Sequence, residues 1–247
     1  MLLALFLIDL AAGLVLFLPL VGRRTAGVKF VRLVLIIGAA LAFFATAAHL
    51  MAHRPDLAIA DASVVVLTIL VYLVLRYPKR LIFRASAVLL GIAYLIAAVW
   101  SFDQAVRPTH FVLSIVGALS SAALLGSVNL AMTLGHWYLV VRGMAIDPLR
   151  RLTIATLATT IVKIAVVVAS IMLGGLAEEM MVRQGIFFWM RAGWGLLGPL
   201  MLFPMVWGTV KIRSTMAATG ILYVEVVAVV IGEVLGAWLS TIAHLPV

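Results

Sequence analysis

Long runs of apolar residues alternate with short polar breaks along the whole chain. Each run is long enough to cross the hydrocarbon core of a bilayer as a helix. Lipid offers the backbone no hydrogen-bonding partners, and the ten-residue alternation of a β-barrel is absent, so helices are expected. The pattern therefore predicts an all-α polytopic membrane bundle in which residues 1–247 form a single transmembrane domain without a soluble domain. About eight transmembrane helices are predicted, at residues 2–21, 31–51, 58–76, 82–102, 111–139, 153–174, 186–208 and 218–243.

Basic residues are concentrated in every second connection between these helices. The first, third, fifth and seventh connections hold 13 of the 18 Lys and Arg residues, whereas the other three hold only Arg54, Arg107 and Arg183. By the positive-inside rule the basic connections are cytoplasmic. We therefore expect a bacterial-type inner (plasma) membrane protein with both termini on the outer, periplasmic side. The net charge of +9 is then explained by topology and requires no nucleic-acid partner.

Six Asp, Glu, Lys and Arg residues lie more than two positions inside the ends of the predicted membrane helices: Asp9, Asp61, Lys163, Arg191, Glu225 and Glu233. Each charge costs at least about 2.5–3.5 kcal/mol near the bilayer centre, so such residues pair with one another and often mark function. An outer charge cluster of Asp9, Asp61, Arg191 and Glu233 is predicted from their similar depths. Lys163 lies near mid-depth, where Glu225 is within reach across two helices. The alternative is that these ion pairs only fix helix register.

The sixth helix carries a regular polar stripe. Residues spaced alternately by three and four lie on one helical face. Such a face serves either as a helix–helix contact or as a polar seam for protons or substrate. The stripe consists of Thr153, Thr156, Thr160, Lys163 and Ser170, and ends at Gly174.

The inner end of the fifth helix is a candidate quinone site. His136 is followed by Trp137 and Tyr138, which suit a membrane–water interface, and Glu225 falls at a similar depth on the eighth helix. An imidazole binds a quinone carbonyl and a carboxylate moves its proton. We expect these four residues and Lys163 to serve quinone binding or proton transfer, although His136 also fits a simple capping role.

Histidines at the outer end are candidate haem ligands. Haem b in a helical bundle takes two axial histidines from facing helices, and His49 with either His110 or His244 fits that pattern. The sequence thus allows one haem b. Surface histidines without a specific role are the alternative. The chain has no cysteine, which excludes disulfides and thiolate-held metal sites.

Two further features concern helix packing. Pro199 and Pro204 in the seventh helix predict a kink or a broken helix, and broken helices often line cavities. Gly232 and Gly236 in the eighth helix have the GxxxG spacing that favours close helix contact.

Three functions fit these features. The favoured hypothesis is a membrane subunit of a respiratory or photosynthetic electron-transfer complex, interacting with quinone and one haem b. It would be non-catalytic alone or part of a quinone-linked oxidoreductase, with the lipid bilayer and other subunits as partners. The second is a transporter or proton/ion channel that uses the buried charges of Lys163, Glu225, Arg191 and Glu233. The third is a structural membrane subunit. Nucleotide-binding, HExxH and nucleophile-elbow motifs are all absent, and no catalytic residue is assigned.

Overall fold

The described part of the chain is built from helices, with no strand among its residues. The structure is a computed structural model that describes residues 1–22, 25–74, 80–141 and 143–247, without the side chains of residues 80–84. Several basic residues used for the topology prediction, namely Arg23, Arg24, Arg76, Lys79 and Arg142, therefore lie outside the described residues.

Eight helices in the described ranges are long and apolar enough to span a membrane, which confirms the polytopic helical bundle. The first four are α1 Leu2–Val21, α2 Gly27–Met51, α3 Pro55–Val74 and α4 Arg80–Val106. The others are α5 Phe111–Val140, α6 Asp147–Leu173, α7 Gly185–Lys211 and α8 Thr215–Ala243. A five-residue π-helical turn, Glu179–Arg183, precedes α7.

Most helices begin earlier than the apolar runs that predict them. α6 begins at Asp147 rather than at residue 153, and α2 begins at Gly27 rather than at residue 31. The added turns contain charged residues, such as Arg150 and Lys29. An apolar run marks only the part of a helix that lies in the hydrocarbon core. A helix that continues into the polar interface is therefore longer than its apolar run.

The end of the bundle that holds the start of α1 and the end of α8 is called here the terminal end. His244, just after α8, hydrogen-bonds the carbonyl oxygen of Val106 at the end of α4. Arg54, between α2 and α3, contacts Gln104 of α4 and also Asp56, whose hydrogen bond raises the pKa of the Arg54 guanidinium. These contacts tie four helices and the final residues together at one surface.

α1 and α5 form the centre of the bundle. α1 packs against α2, α4 and α5, whereas α5 also packs against α6 and α8. The two central helices cross at Gly13 and Gly126, where a Cβ added to Gly13 would lie 1.9 Å from the carbonyl oxygen of Ala122. Glycines permit this close approach because no side chain separates the backbones. The crossing places α1, α5, α6 and α8 around one interior region.

Candidate functional site

Four ionisable side chains from four different helices meet inside the bundle. Asp9 of α1, Lys163 of α6, Arg191 of α7 and Glu233 of α8 are each at most 4% exposed. We call these four residues the buried charge cluster. At 1.5 Å of rise per residue, Lys163 and Glu233 each lie about 15 Å from the terminal ends of their helices. That depth is close to the middle of a hydrocarbon core about 30 Å thick.

Lys163 is held by α5 as well as by the cluster. Its Nζ atom donates a hydrogen bond to the hydroxyl of Ser121 at 2.7 Å, and lies 3.4 Å from that of Ser120. The Oε2 atom of Glu233 is 3.7 Å from the same nitrogen. Lys163 therefore bridges two hydroxyls and a carboxylate, and its ion-pair partner is Glu233 rather than Glu225.

The stripe on α6 is the buried face of that helix. Thr153, Thr156, Thr160, Lys163 and Ser170 are all buried, together with Val167. Thr160 donates to the carbonyl oxygen of Thr156, whereas the hydroxyl of Thr156 has no partner among the described residues. The polar face thus runs from the start of α6 to the buried charge cluster and beyond it towards the terminal end.

Arg191 and Glu233 form the tightest ion pair of the cluster. The Nη2 atom of Arg191 lies 2.8 Å from Oε1 of Glu233. Nη2 is engaged by this carboxylate, whereas Nε and Nη1 have no hydrogen-bond partner among the described residues. A guanidinium carries five N–H donors, and leaving them unpaired in the interior is costly. Arg191 therefore retains unused hydrogen-bonding capacity at mid-depth.

Three glycines make room for the Arg191 side chain. A Cβ added to Gly236 would lie 2.7 Å from Nε of Arg191, and one added to Gly232 would lie 2.4 Å from the Cα atom of Gly195. The GxxxG spacing predicted on α8 thus brings α7 and α8 into backbone contact and also receives the guanidinium between them. Gly232 and Gly236 therefore serve both the close packing of α7 against α8 and the placement of the Arg191 guanidinium.

The backbone of α7 changes its winding at Arg191. Residues Gly185–Met190 are α-helical, Arg191–Leu197 form a π-helical stretch, and Gly198–Lys211 are again α-helical. Pro199 lies two residues after the end of the π stretch, which agrees with the predicted irregularity of this helix. π-helical insertions widen a helix and are frequent at functional sites. Here the insertion begins at the buried cation.

Asp9 completes the cluster beside a small cavity of about 10 Å³. The cavity is also lined by Ser121, Glu233 and Ser240, and its volume is about that needed for one water molecule. Asp9 interacts electrostatically with both Glu233 and Lys163. Within the described ranges it has no ion-pair partner at salt-bridge distance, and its Oδ1 atom has no hydrogen-bond partner.

Asp61 does not join the other three members of the predicted outer cluster. Its Oδ2 atom lies 2.8 Å from Nδ1 of His49, and both side chains are about 1% exposed. This pair connects α2 with α3, whereas α1 lies between α2 and α5. Asp61 falls at a similar depth to Arg191, but depth alone does not determine which helices are neighbours.

The predicted quinone residues lie at the end of the bundle opposite the terminal end. The Tyr223 hydroxyl is 3.3 Å from Nδ1 of His136, and both groups are exposed. Glu225 is 2% exposed, Trp137 packs its ring 5.7 Å from that of Phe30, and Tyr138 hydrogen-bonds the carbonyl oxygen of Ala145. Lys163 lies deeper, with Glu233. The structure thus brings His136 together with Tyr223 of α8.

The candidate haem ligands His49 and His110 have different surroundings. His49 is fully buried, with Nδ1 on Asp61 and Nε2 without a hydrogen-bond partner in the described part of the chain. His110 is exposed immediately before α5. No group of three or more metal-ligating His, Asp or Glu side chains occurs among the described residues. The haem remains a prediction.

Three features of the site were not predicted from the sequence: the contact of Ser121 with Lys163, the contact of His49 with Asp61, and the position of Ser240 at the cavity next to Asp9.

Comparison with protein-family models, curated proteins and solved structures gives no match to this chain.

Proposed function

We propose that the protein carries protons across the membrane through the buried charge cluster. The observation that carries this proposal is the convergence of Asp9, Lys163, Arg191 and Glu233 from four helices at mid-depth. Ionisable residues at this depth are expensive and mark ion or proton pathways in membrane proteins. The polar stripe of α6, which approaches from the opposite end, supports the same function.

Asp9 is the group in this proposal that takes up and releases the proton. Glu233 is held by two cations, whereas Asp9 has no cation within salt-bridge distance in the described residues. The adjoining cavity has space for about one water molecule, which would connect Asp9 with Ser240 and Glu233. Lys163 and Arg191 balance the two carboxylates, so loading and unloading of Asp9 changes the cluster by one unit of charge.

Proton flux in vesicles tests this function. The purified protein is reconstituted into liposomes that enclose a pH-sensitive dye, and a potassium-diffusion potential drives proton entry. We expect wild-type flux above that of protein-free liposomes and a loss of about tenfold or more for Asp9→Asn. Asp61→Asn, the matched control at a buried aspartate outside the cluster, should retain flux. Equal flux in Asp9→Asn and wild type would refute the proposal.

The same proposal includes an orientation. The distribution of basic residues favours a bacterial-type inner membrane with both termini on the periplasmic side. The stripe of α6 would then lead from the cytoplasmic surface to the cluster, and Ser240 would lie on the periplasmic route.

A second candidate is quinone-linked electron transfer as a subunit of a larger membrane complex. The observation that favours it is the contact of Tyr223 with His136, with Glu225 buried two residues further along α8. The His136–Tyr223 contact would supply a hydrogen bond to a quinone oxygen, and Glu225, which lies on another side of α8 from the exposed Tyr223, would accept a proton from the interior. Under this hypothesis His136→Ala and Glu225→Gln slow quinone turnover while the protein stays folded, and a haem b spectrum accompanies the purified protein. Unchanged turnover in both variants would exclude this site.

A further inference from the structure

A large groove lies between α5 and α6 at the terminal end, outside the buried charge cluster. Its volume is about 750 Å³, within the range of small-molecule binding sites. The wall formed by α6 extends from Val162 to Leu173, which corresponds to about 16 Å of helical rise. Ala165 and Ala169 face the groove and are exposed, so it opens towards the lipid side of the bundle.

The groove is polar at one end and almost entirely apolar along its length. Thr109, His110 and His244 lie at the terminal end, and Ser170 is the polar residue on the wall. Among the described residues no Lys, Arg, Asp or Glu lines it. Recognition of an anionic lipid headgroup uses Lys and Arg. The lining therefore fits a long apolar chain with an uncharged polar head.

His244 lines this groove, and its ring is held by a hydrogen bond. Its Nδ1 atom lies 2.7 Å from the carbonyl oxygen of Val106, which can only accept, so Nδ1 carries the proton. In the neutral ring Nε2 is then an acceptor. The residue has φ of 52°, in the left-handed region, where α8 ends, and the hydrogen bond to Val106 orients its ring.

We propose that this groove binds a membrane quinol, with its chain along α6 and a head hydroxyl donating a hydrogen bond to Nε2 of His244. The site is separate from the His136 contact at the opposite end of the bundle and does not depend on proton transport. The residues after α8 lie between the groove and the buried charge cluster. Leu245 and Pro246 line the groove, whereas Val247 lines the cavity next to Asp9. A quinol head at His244 would therefore lie close to the buried charge cluster.

Binding of decylubiquinol to the detergent-solubilised protein tests the proposal, with native mass spectrometry as the readout. Ala169→Phe fills the groove, and Ala158→Phe adds the same ring to an exposed position of α6 outside it. We expect wild type and Ala158→Phe to bind one decylubiquinol with similar affinity, and Ala169→Phe to bind at least about tenfold more weakly.

His244→Asn tests the acceptor. Asparagine tolerates the left-handed backbone and still donates to Val106, but it lacks Nε2. We expect it to weaken decylubiquinol binding by about fivefold to tenfold while the melting temperature is retained. Equal binding by Ala169→Phe and wild type would overturn the proposal. So would selective retention of phosphatidylglycerol in place of decylubiquinol, which would identify a lipid site. The proton-flux measurement is independent of either result.

Discussion

Arg191 and Glu233 face each other across α7 and α8 with Nη2 and Oε1 2.8 Å apart, in an interior where neither side chain is more than 3% exposed. Lys163 approaches the other oxygen of the same carboxylate at 3.7 Å. Glu233 therefore compensates two buried cations at once. Within the buried charge cluster, the two cations are balanced only when Asp9 supplies the second negative charge.

Removing the carboxylate of Glu233 alone is predicted to destabilise the protein strongly. Glu233→Gln leaves Lys163 and Arg191 buried with Asp9 as the only anion of the cluster, and breaking a buried pair costs about 3–5 kcal/mol. Unfolding in mixed detergent micelles measures the change in free energy. Glu179→Gln, at a partly exposed ion pair near the surface, is the control and should change stability by less than about 1 kcal/mol. Similar values for the two variants would contradict the compensating role of Glu233.

The glycines of α8 give a second prediction. Gly232→Ala is expected to destabilise the α7–α8 contact by about 1–3 kcal/mol, because its Cβ would lie 2.4 Å from a backbone atom of Gly195. Gly220 lies on the same helix, and apart from its own helical turn no atom of the described residues lies within 4 Å of an added Cβ. Gly220→Ala should therefore be neutral or stabilising by up to about 1 kcal/mol. Thermal unfolding of the two variants compares them, and equal melting temperatures would argue against a close α7–α8 approach.

The His49–Asp61 pair yields a third prediction. Replacing one partner leaves the other buried and unpaired, whereas replacing both by apolar residues removes the penalty. We expect His49→Leu and Asp61→Leu to be more destabilising singly than together, with a coupling of about 0.5–3 kcal/mol. A double-mutant cycle of unfolding free energies measures it. Strictly additive values would show that the 2.8 Å contact contributes nothing.

The orientation of the bundle is testable because the chain has no cysteine of its own. Glu178→Cys places a thiol near the terminal end, and Ile212→Cys places one at the opposite end, and both positions are exposed. In intact spheroplasts an impermeant maleimide should label the first variant and reach the second only after permeabilisation. The reverse pattern would place both termini in the cytoplasm.

The common depth of three contacting residue pairs follows from one geometric relation in the sequence. In an antiparallel helix pair, residues equally distant from the connecting turn lie at the same depth. His49 and Asp61 are each six residues from Pro55, and Arg191 and Glu233 are each 21 residues from Ile212. Ser121 and Lys163 are likewise each 21 residues from position 142. The bundle therefore follows from the apolar runs, and the turn positions give the common depth of each pair, whereas the helix faces that meet do not follow from either.

Other features did not follow from the sequence. Asp9 meets Glu233 because α1 lies at the centre of the bundle, and no turn connects α1 with α8. The same central position of α1 separates Asp61 from the cluster, although its depth matched. Neighbours that are distant along the chain depend on packing at sites such as Gly13 and Gly126, where the sequence shows small residues but not their partners.

The double variant Lys163→Met with Glu233→Gln tests most directly whether the buried charge cluster conducts protons or only holds the helices together. It removes one charge of each sign and leaves Asp9 with Arg191, so the cluster stays balanced and the fold should be retained. Proton flux in liposomes and thermal unfolding are measured on the same preparation. We expect a melting temperature near that of wild type together with a loss of flux of about tenfold or more, because in this proposal Glu233 and Lys163 connect Asp9 with the cavity water and with the stripe of α6. A folded double variant with wild-type flux would contradict it and assign the cluster a structural role.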